Sequence, residues 1–554
     1  MSVNKSNLET ENKSVINFII IAAVAITLAL TPWVNSDSLI IPKGIILFST
    51  ALFLIPKLII KYRKLIHLPG YKLIFWLSIL FILQMVLVMA LSEAPFAQEF
   101  FGRTGRALGF ATYFSLTIVL LSVVAYSKLI HFQVINIGIV VACLITSCYS
   151  IIQRFGYDIF DWVSLTNGII GTLGNPNFQS SFVAMALAPA VVIFSGSRKN
   201  YSISFIITAI LLYTLYICES TQGYIASAVA AFTFILIYLW YKNKVLFTTT
   251  FIFFVAIGLV ALASMLNRGP LSYFLYKYSV QSRGEMWRTA FTTIKENPVF
   301  GVGLDSFGDV SLLYRDQKTA NGINEFTDNA HNLFLQFSIT GGYILALIYL
   351  CIILLSLYSF FIIQKKLNQF DKKVAALFAS WICFQLQSII SPANISMLVW
   401  NFIICGCLIG SAFSDSDEGK VKNITSRNTV DYTRPFSYLL LIISLVIMYP
   451  WFNADKIAWQ TTKTGDAAVA IKAAKMYPES SVRYSRIILE LYKSNLIEQS
   501  LDLARSSVKF NPRSVSGWYL IMINEKAPLD ERREARKKVI ALDPFNKEVV
   551  NIKL

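Results

Sequence analysis

Apolar runs of about 20 residues recur along most of this chain, each long enough to cross roughly 30 Å of hydrocarbon. One such run fits a buried core helix. A dozen exceed what a single soluble core can enclose. The spans read as 15–34, 38–60, 72–91, 108–130, 134–153, 178–196, 202–219, 222–241, 246–266, 341–363, 373–390, 395–413 and 436–454. They define an all-α polytopic membrane protein with about 13 transmembrane helices, a large loop at 267–340 and a helical tail beyond 454. Composition agrees: 15% of residues are charged, against about 25% in soluble domains.

An odd number of spans places the termini on opposite sides, and the basic residues decide which is which. Lys61, Arg63, Lys64 and Lys72 follow span 2, Lys128 follows span 4, and Arg198 and Lys199 follow span 6. Lys242 and Lys244 follow span 8, and Lys365, Lys366, Lys372 and Lys373 follow span 10. Lys420, Lys422, Arg427 and Arg434 follow span 12. The opposite short loops hold only Arg103, Arg106 and Arg154. Residues 1–14 therefore read as cytoplasmic, and 267–340 and the tail as extracytoplasmic. The net charge of +17 is explained by orientation, and no nucleic-acid partner is expected. The first span is long for a signal segment, lacks a small-x-small cleavage site, and reads as retained.

All seven cysteines lie within apolar runs, so no disulfide framework is implied. The spans read as nearly charge-free, with Glu219 at one outer end. A transporter would place ionisable residues inside them.

Residues 455–554 shift to Lys, Arg, Glu and Ala with helical periodicity. Met476-Tyr-Pro478, Phe510-Asn-Pro512 and Leu542-Asp-Pro544 are spaced 34 and 32 residues apart at their prolines, near the tetratricopeptide period of about 34. The tail reads as a small helical repeat able to dock an envelope protein.

Chemistry on the outer side has few candidates. Of three histidines, His67 and His131 fall in cytoplasmic loops and read as solvated. His331 lies in Asp328-Asn-Ala-His331-Asn332, where Asp328 reads as an N-cap and His331 as the third helical residue. The positive end of a helix favours neutral imidazole, which suits a general base; the alternative is a His that caps and packs. In Ser282-Arg283-Gly-Glu285-Met-Trp287-Arg288, Ser282 and Glu285 have capping-box spacing, and Arg283 then stands in the first turn of an amphipathic helix. An arginine beside free N–H groups suits a phosphate or diphosphate, unless it snorkels or pairs with Glu285. Gly301-Val-Gly303-Leu-Asp305 marks a tight turn, and Gly174-Asn175-Pro-Asn177 a turn presenting side-chain amides. Arg103, Arg106 and Arg154 sit against the charge rule, which points to an anionic ligand.

In order and spacing, these pieces resemble the O-antigen ligase and O-antigen polymerase superfamily, which also holds bacterial O-oligosaccharyltransferases. The resemblance covers about 90–410 and rests on Ser92-x-x-Pro95, Gly102, Arg106-x-x-Gly109, Gln153-Arg-Phe-Gly156, Gly174-Asn-Pro-Asn177, Arg283-x-x-x-Trp287, Asn297-Pro298-x-x-Gly301-x-Gly303 and Asp328-x-x-His331-Asn332. It implies transfer of a glycan from a polyprenyl-diphosphate carrier to an acceptor hydroxyl on a glycolipid, polysaccharide or protein. The setting would be the outer face of a bacterial cytoplasmic membrane, with no cofactor and no metal. Carried over, His331 takes the acceptor proton, and Arg283, with Arg288, holds the diphosphate. Asn175, Asn177, Gln222, Asp328 and Asn332 are the further substrate-binding candidates. One departure stands out: relatives often carry Ser-Arg-Gly at the start of span 8, where this chain has Thr221-Gln222-Gly223. Arg106 and Arg154 are the candidates to replace that arginine. The competing classes are a glycolipid transporter or flippase and a non-catalytic envelope scaffold.

Overall fold

The computed structural model describes residues 2–160, 162, 168–193, 198–315, 327–414 and 433–552. Lys420, Lys422 and Arg427 of the charge count lie outside them. Every regular element among the described residues is helical. The membrane region is built from α1 (Ser2–Leu28), α2 (Ile41–Leu65), α3 (Pro69–Leu91), α4 (Phe96–Phe101), α5 (Phe110–Tyr126), α6 (Phe132–Arg154), α7 (Pro176–Ile193), α8 (Arg198–Ile217), α9 (Thr221–Lys242) and α10 (Lys244–Met265). It continues through α11 (Ser272–Leu275), α12 (Tyr278–Glu296), α13 (Phe307–Tyr314), α14 (Leu333–Leu367), α15 (Lys372–Ile390), α16 (Ile395–Phe413) and α17 (Thr433–Thr464). The tail follows as α18 (Ala467–Ala474), α19 (Ser481–Lys493), α20 (Ile497–Phe510), α21 (Val515–Ile523), α22 (Leu529–Leu542) and α23 (Lys547–Asn551).

Twelve described helices are long and apolar enough to cross a membrane. The thirteenth expected span is α5, which is shorter, with 17 residues. At 1.5 Å per residue it covers about 26 Å. It is buried almost throughout, between α2 and α16, so it needs no lipid-facing length. α16 is buried along its whole apolar window, whereas α10 faces outward along all of its own and packs mainly on α9.

Three expected boundaries move. α1 stops at Leu28, and residues 29–40 turn at the bundle end. α17 runs on to Thr464 and carries the chain straight into the tail. α14 starts at Leu333 rather than 341, because it is two helical pieces joined at Gly342, with φ 76°. A Cβ at Gly342 would run into the Val299 carbonyl, so only glycine lets the 298–300 segment cross there. The crossing is tied by Tyr343 N–H to Pro298 O at 2.8 Å and by Gln84 Nε2 to Val299 O and Gly341 O at 3.0 and 2.9 Å.

Two polar readings also change. His131 is buried rather than solvated, and its Nδ1 accepts from the Lys128 N–H at 2.9 Å. The spans are not as free of charge as they read: Lys43 lies fully buried in α2. Its ammonium donates to Thr27 O (3.3 Å), Thr172 O (2.5 Å) and Ser396 Oγ (2.9 Å). Those three oxygens replace its water and tie α1, the 171–174 turn and α16 together.

The tail helices fold back on one another in short pairs, α19 with α20 and α21 with α22. Pro478, Pro512 and Pro544 each stand two residues before a capping side chain: Ser480, Ser514 and Asn546. The tail docks onto the membrane region through those same turns. Asn511 Nδ2 donates to Asp309 Oδ2 at 3.0 Å, and Arg513 to Val302 O at 2.9 Å. Thr104 and Ser480 share a hydroxyl contact of 2.7 Å. Asp543 pairs with Arg315 at 2.7 Å, the two side chains 0% and 7% exposed.

Candidate active site

At the end of the bundle that carries the tail, four segments converge: the loop 102–109, the turn 301–305, the segment 327–332 and α12. Asp305 is the pin of the first two. Its buried Oδ2 accepts from the Arg103 N–H at 2.7 Å and the Leu108 N–H at 3.0 Å. Glu99 on α4 holds the other side of the turn, accepting from the Leu304 N–H at 3.0 Å. Burial pushes Glu99 up to about 7 and Asp305 up to about 6. Arg103 then pairs with Asp309 at 2.9 Å.

This loop presents Arg106 to Asp328. Nε meets Oδ2 and one terminal nitrogen meets Oδ1, both at 2.9 Å. Burial would raise the Asp328 carboxyl, but Arg106 outweighs it and holds the group below its ordinary range. Asp328 is thus an ion-pair partner and not the helix cap. The cap is Asn332, whose Oδ1 accepts from the Phe334 and Leu335 N–H groups at 3.0 and 3.1 Å. His331 accordingly precedes the helix, in left-handed backbone with φ 51°. Asn329 supports it twice: its Oδ1 accepts the His331 N–H at 2.8 Å, and its carbonyl lies 3.2 Å from His331 Nδ1. Burial, then Arg106 and Arg283, hold the imidazole below its ordinary value, against the Asn329 carbonyl and Asp328. The neutral ring expected from the sequence is favoured, but by burial and two arginines in place of the helix end.

α12 begins at Tyr278 with Lys277 at its cap position, so Ser282 and Glu285 do not form its capping box. Arg283 stands in the second turn, away from the free N–H groups. The buried stripe of α12, Ala290 and Ile294, packs with Val302, Phe307, Ala330 and Ile339. By their helical spacing Arg283 and Trp287 continue that stripe toward the helix start, and Arg283 lies close enough to His331 for its charge to act on the imidazole. Arg283 Nε has no hydrogen-bond partner among the described residues.

The remaining candidates scatter. Arg288 is exposed and lines a cavity of about 430 Å³ with Phe291, Thr292, Leu313, Tyr314, Arg315 and Phe545. Arg154 is exposed at the end of α6, and no hydrogen bond or ion pair among the described residues joins it to His331. Asn175 Oδ1 accepts the Asn177 N–H at 2.8 Å, and Asn177 accepts from Ser220 at 2.7 Å; both secure turns. Gln222 is buried and bonded to Gln387 and to Ser391, the latter at 2.8 Å. A cation nonetheless reaches its neighbourhood: Lys277 Nζ lies 3.2 Å from Thr221 Oγ1. Lys277, Glu99 and Asp305 were not among the residues singled out for chemistry. Glu99 left one trace, a lone carboxylate within the aromatic run Phe96-Ala-Gln-Glu-Phe-Phe101.

The helices and this cluster define a polytopic helical membrane protein with a polar, arginine-rich site at one end of its bundle. Residues 206–350 match the family model described as O-antigen ligase. The match runs from α8 into α14 and includes Arg283, Asp328 and His331; Arg106 and Glu99 come from outside it. No curated protein matches the chain.

Proposed function

We propose that this protein is a glycosyltransferase moving a glycan from a polyprenyl-diphosphate carrier to an acceptor hydroxyl at the outer face of the cytoplasmic membrane. The observation that carries this reading is His331 beside Arg283 and the Arg106–Asp328 pair. A carbonyl only accepts, so the 3.2 Å contact with Asn329 O requires the proton on Nδ1. That leaves the Nε2 lone pair as the base.

The acceptor proton passes to Nε2, and the acceptor oxygen bonds to the anomeric carbon. The bond from that carbon to the carrier phosphate breaks, its electron pair staying on the diphosphate. Arg283 stabilises the charge that develops there. Lys277 supplies a second cation near the start of α9, the role left open by Gln222. Arg106 holds Asp328 in place and by its own charge helps keep His331 neutral. The step as written calls for no metal or other cofactor. The basic loops support the outward placement of this site. The proline spacing and paired helices of the tail support a tetratricopeptide-like unit.

The test is purified protein in detergent, given a carrier-linked glycan and a glycolipid, polysaccharide or protein acceptor, with chelator present. Transfer by wild type with loss in His331→Gln is expected. Wild-type rates in His331→Gln would sink the base assignment. No transfer to any acceptor class, with flipping of the glycolipid instead, would favour a transporter.

A further inference from the structure

The indole N–H of Trp287 is buried and has no hydrogen-bond partner among the described residues. Buried indole N–H groups are normally paired, because leaving one bare costs the full desolvation of the donor. Four residues earlier, Arg283 Nε is in the same condition. The two side chains are neighbours on one face of α12, since residues four apart stand one above the other. Two unsatisfied donors side by side, on the face of α12 that continues the buried Ala290 and Ile294, point to one ligand rather than two packing defects.

We propose that Trp287 binds the first sugar of the donor, the ring attached to the diphosphate. This deepens the glycosyltransferase reading and rests on it. A guanidinium suits a diphosphate oxygen, whereas a neutral N–H suits a hydroxyl or ring oxygen. An indole also offers a flat apolar face, the usual complement to the C–H face of a pyranose. Arg283 and Trp287 are separated by about 6 Å along the helix axis, roughly one sugar unit. With the phosphate at Arg283 and the anomeric carbon before His331, the next group on the stripe, Trp287, faces the first ring. Ala290, one turn further, packs against Ala330 and closes that stripe.

The test compares binding of two probes to purified wild type, Trp287→Phe and Trp287→Leu. One probe is polyprenyl diphosphate without sugar; the other is the carrier-linked glycan purified from the producing cells. Phenylalanine keeps the aromatic face and removes only the donor. Its affinity for the glycan-bearing carrier is expected to fall about three- to ten-fold, the effect of one neutral hydrogen bond. Its affinity for the bare carrier and its melting temperature should stay at wild-type values. Trp287→Leu should lose more on the glycan-bearing carrier alone. Equal affinity of Trp287→Phe and wild type for both probes overturns the proposal. So does an equal loss on both, which would assign the indole to the phosphate. If wild type binds no bare carrier, the diphosphate reading beneath the proposal fails, and this assignment with it.

Discussion

Arg106 grips Asp328 through two parallel hydrogen bonds of 2.9 Å, across 222 positions of sequence, three residues before His331. The pair places a cation and an anion together beside the imidazole, with opposite effects on its protonation. Arg106 favours the neutral ring, and Asp328 favours the charged one.

Opposite pH shifts follow from those signs. A general base works only when neutral, so the rate falls on acidification through the His331 pKa, which lies below the ordinary 6.5. Arg106→Gln removes a charge that depresses that pKa and should move the acidic limb to higher pH. Asp328→Asn removes a charge that raises it and should move the limb lower. pH–rate profiles of purified variants check this; shifts in the same direction would mean His331 does not set the limb.

Arg283→Ala should reduce transfer about thirty- to a thousand-fold, the range for losing one charged contact to a developing oxyanion, roughly 2–4 kcal/mol. Arg283→Lys should recover only part, because lysine lacks the planar fork. Steady-state rates at matched protein level decide. Full activity in Arg283→Ala would move the diphosphate toward Lys277.

The tail is expected to come loose in Asp543→Ala. That substitution breaks the buried Arg315–Asp543 pair, a change that costs about 3–5 kcal/mol where such a pair is lost. Limited proteolysis should then cut between α17 and α23 faster than in wild type. Unchanged protection would show that Asn511, Arg513 and Ser480 hold the tail alone.

Gly342→Ala combines a left-handed backbone with a clash against the Val299 carbonyl. The backbone strain alone costs about 1–3 kcal/mol. A lower melting temperature in detergent is expected, with activity falling too, because the kink sets the half-helix that follows His331. Gly258→Ala has open space and ordinary φ, and should leave both unchanged.

The orientation can be read with single cysteines in a background lacking exposed Cys148 and Cys351. An impermeant thiol reagent on whole cells should reach cysteines placed at Tyr273 and Glu525 and miss one at Lys365. Labelling of Lys365→Cys with protection of the other two would invert the topology.

The sequence by itself determined the helical membrane class and marked His331 and Arg283 as candidates for the chemistry. Those follow from local quantities: a run of apolar side chains needs no partner to mark it as a span. The cap at Asp328 was misread because Asp328 and Asn332 are both good capping residues. Only the position of Arg106, brought in by Asp305 and Glu99, decides that Asp328 forms the ion pair and leaves Asn332 the helix. Likewise nothing local distinguishes Ser282 as a cap from Ser282 inside a helix begun at Tyr278. Lys43, inside the span read as 38–60, was passed over because its three oxygens come from distant segments. The kink at Gly342 and the docking of Asn511 and Asp543 are likewise contacts between distant segments. Such contacts depend on where other helices pass, and that is fixed only when the bundle packs.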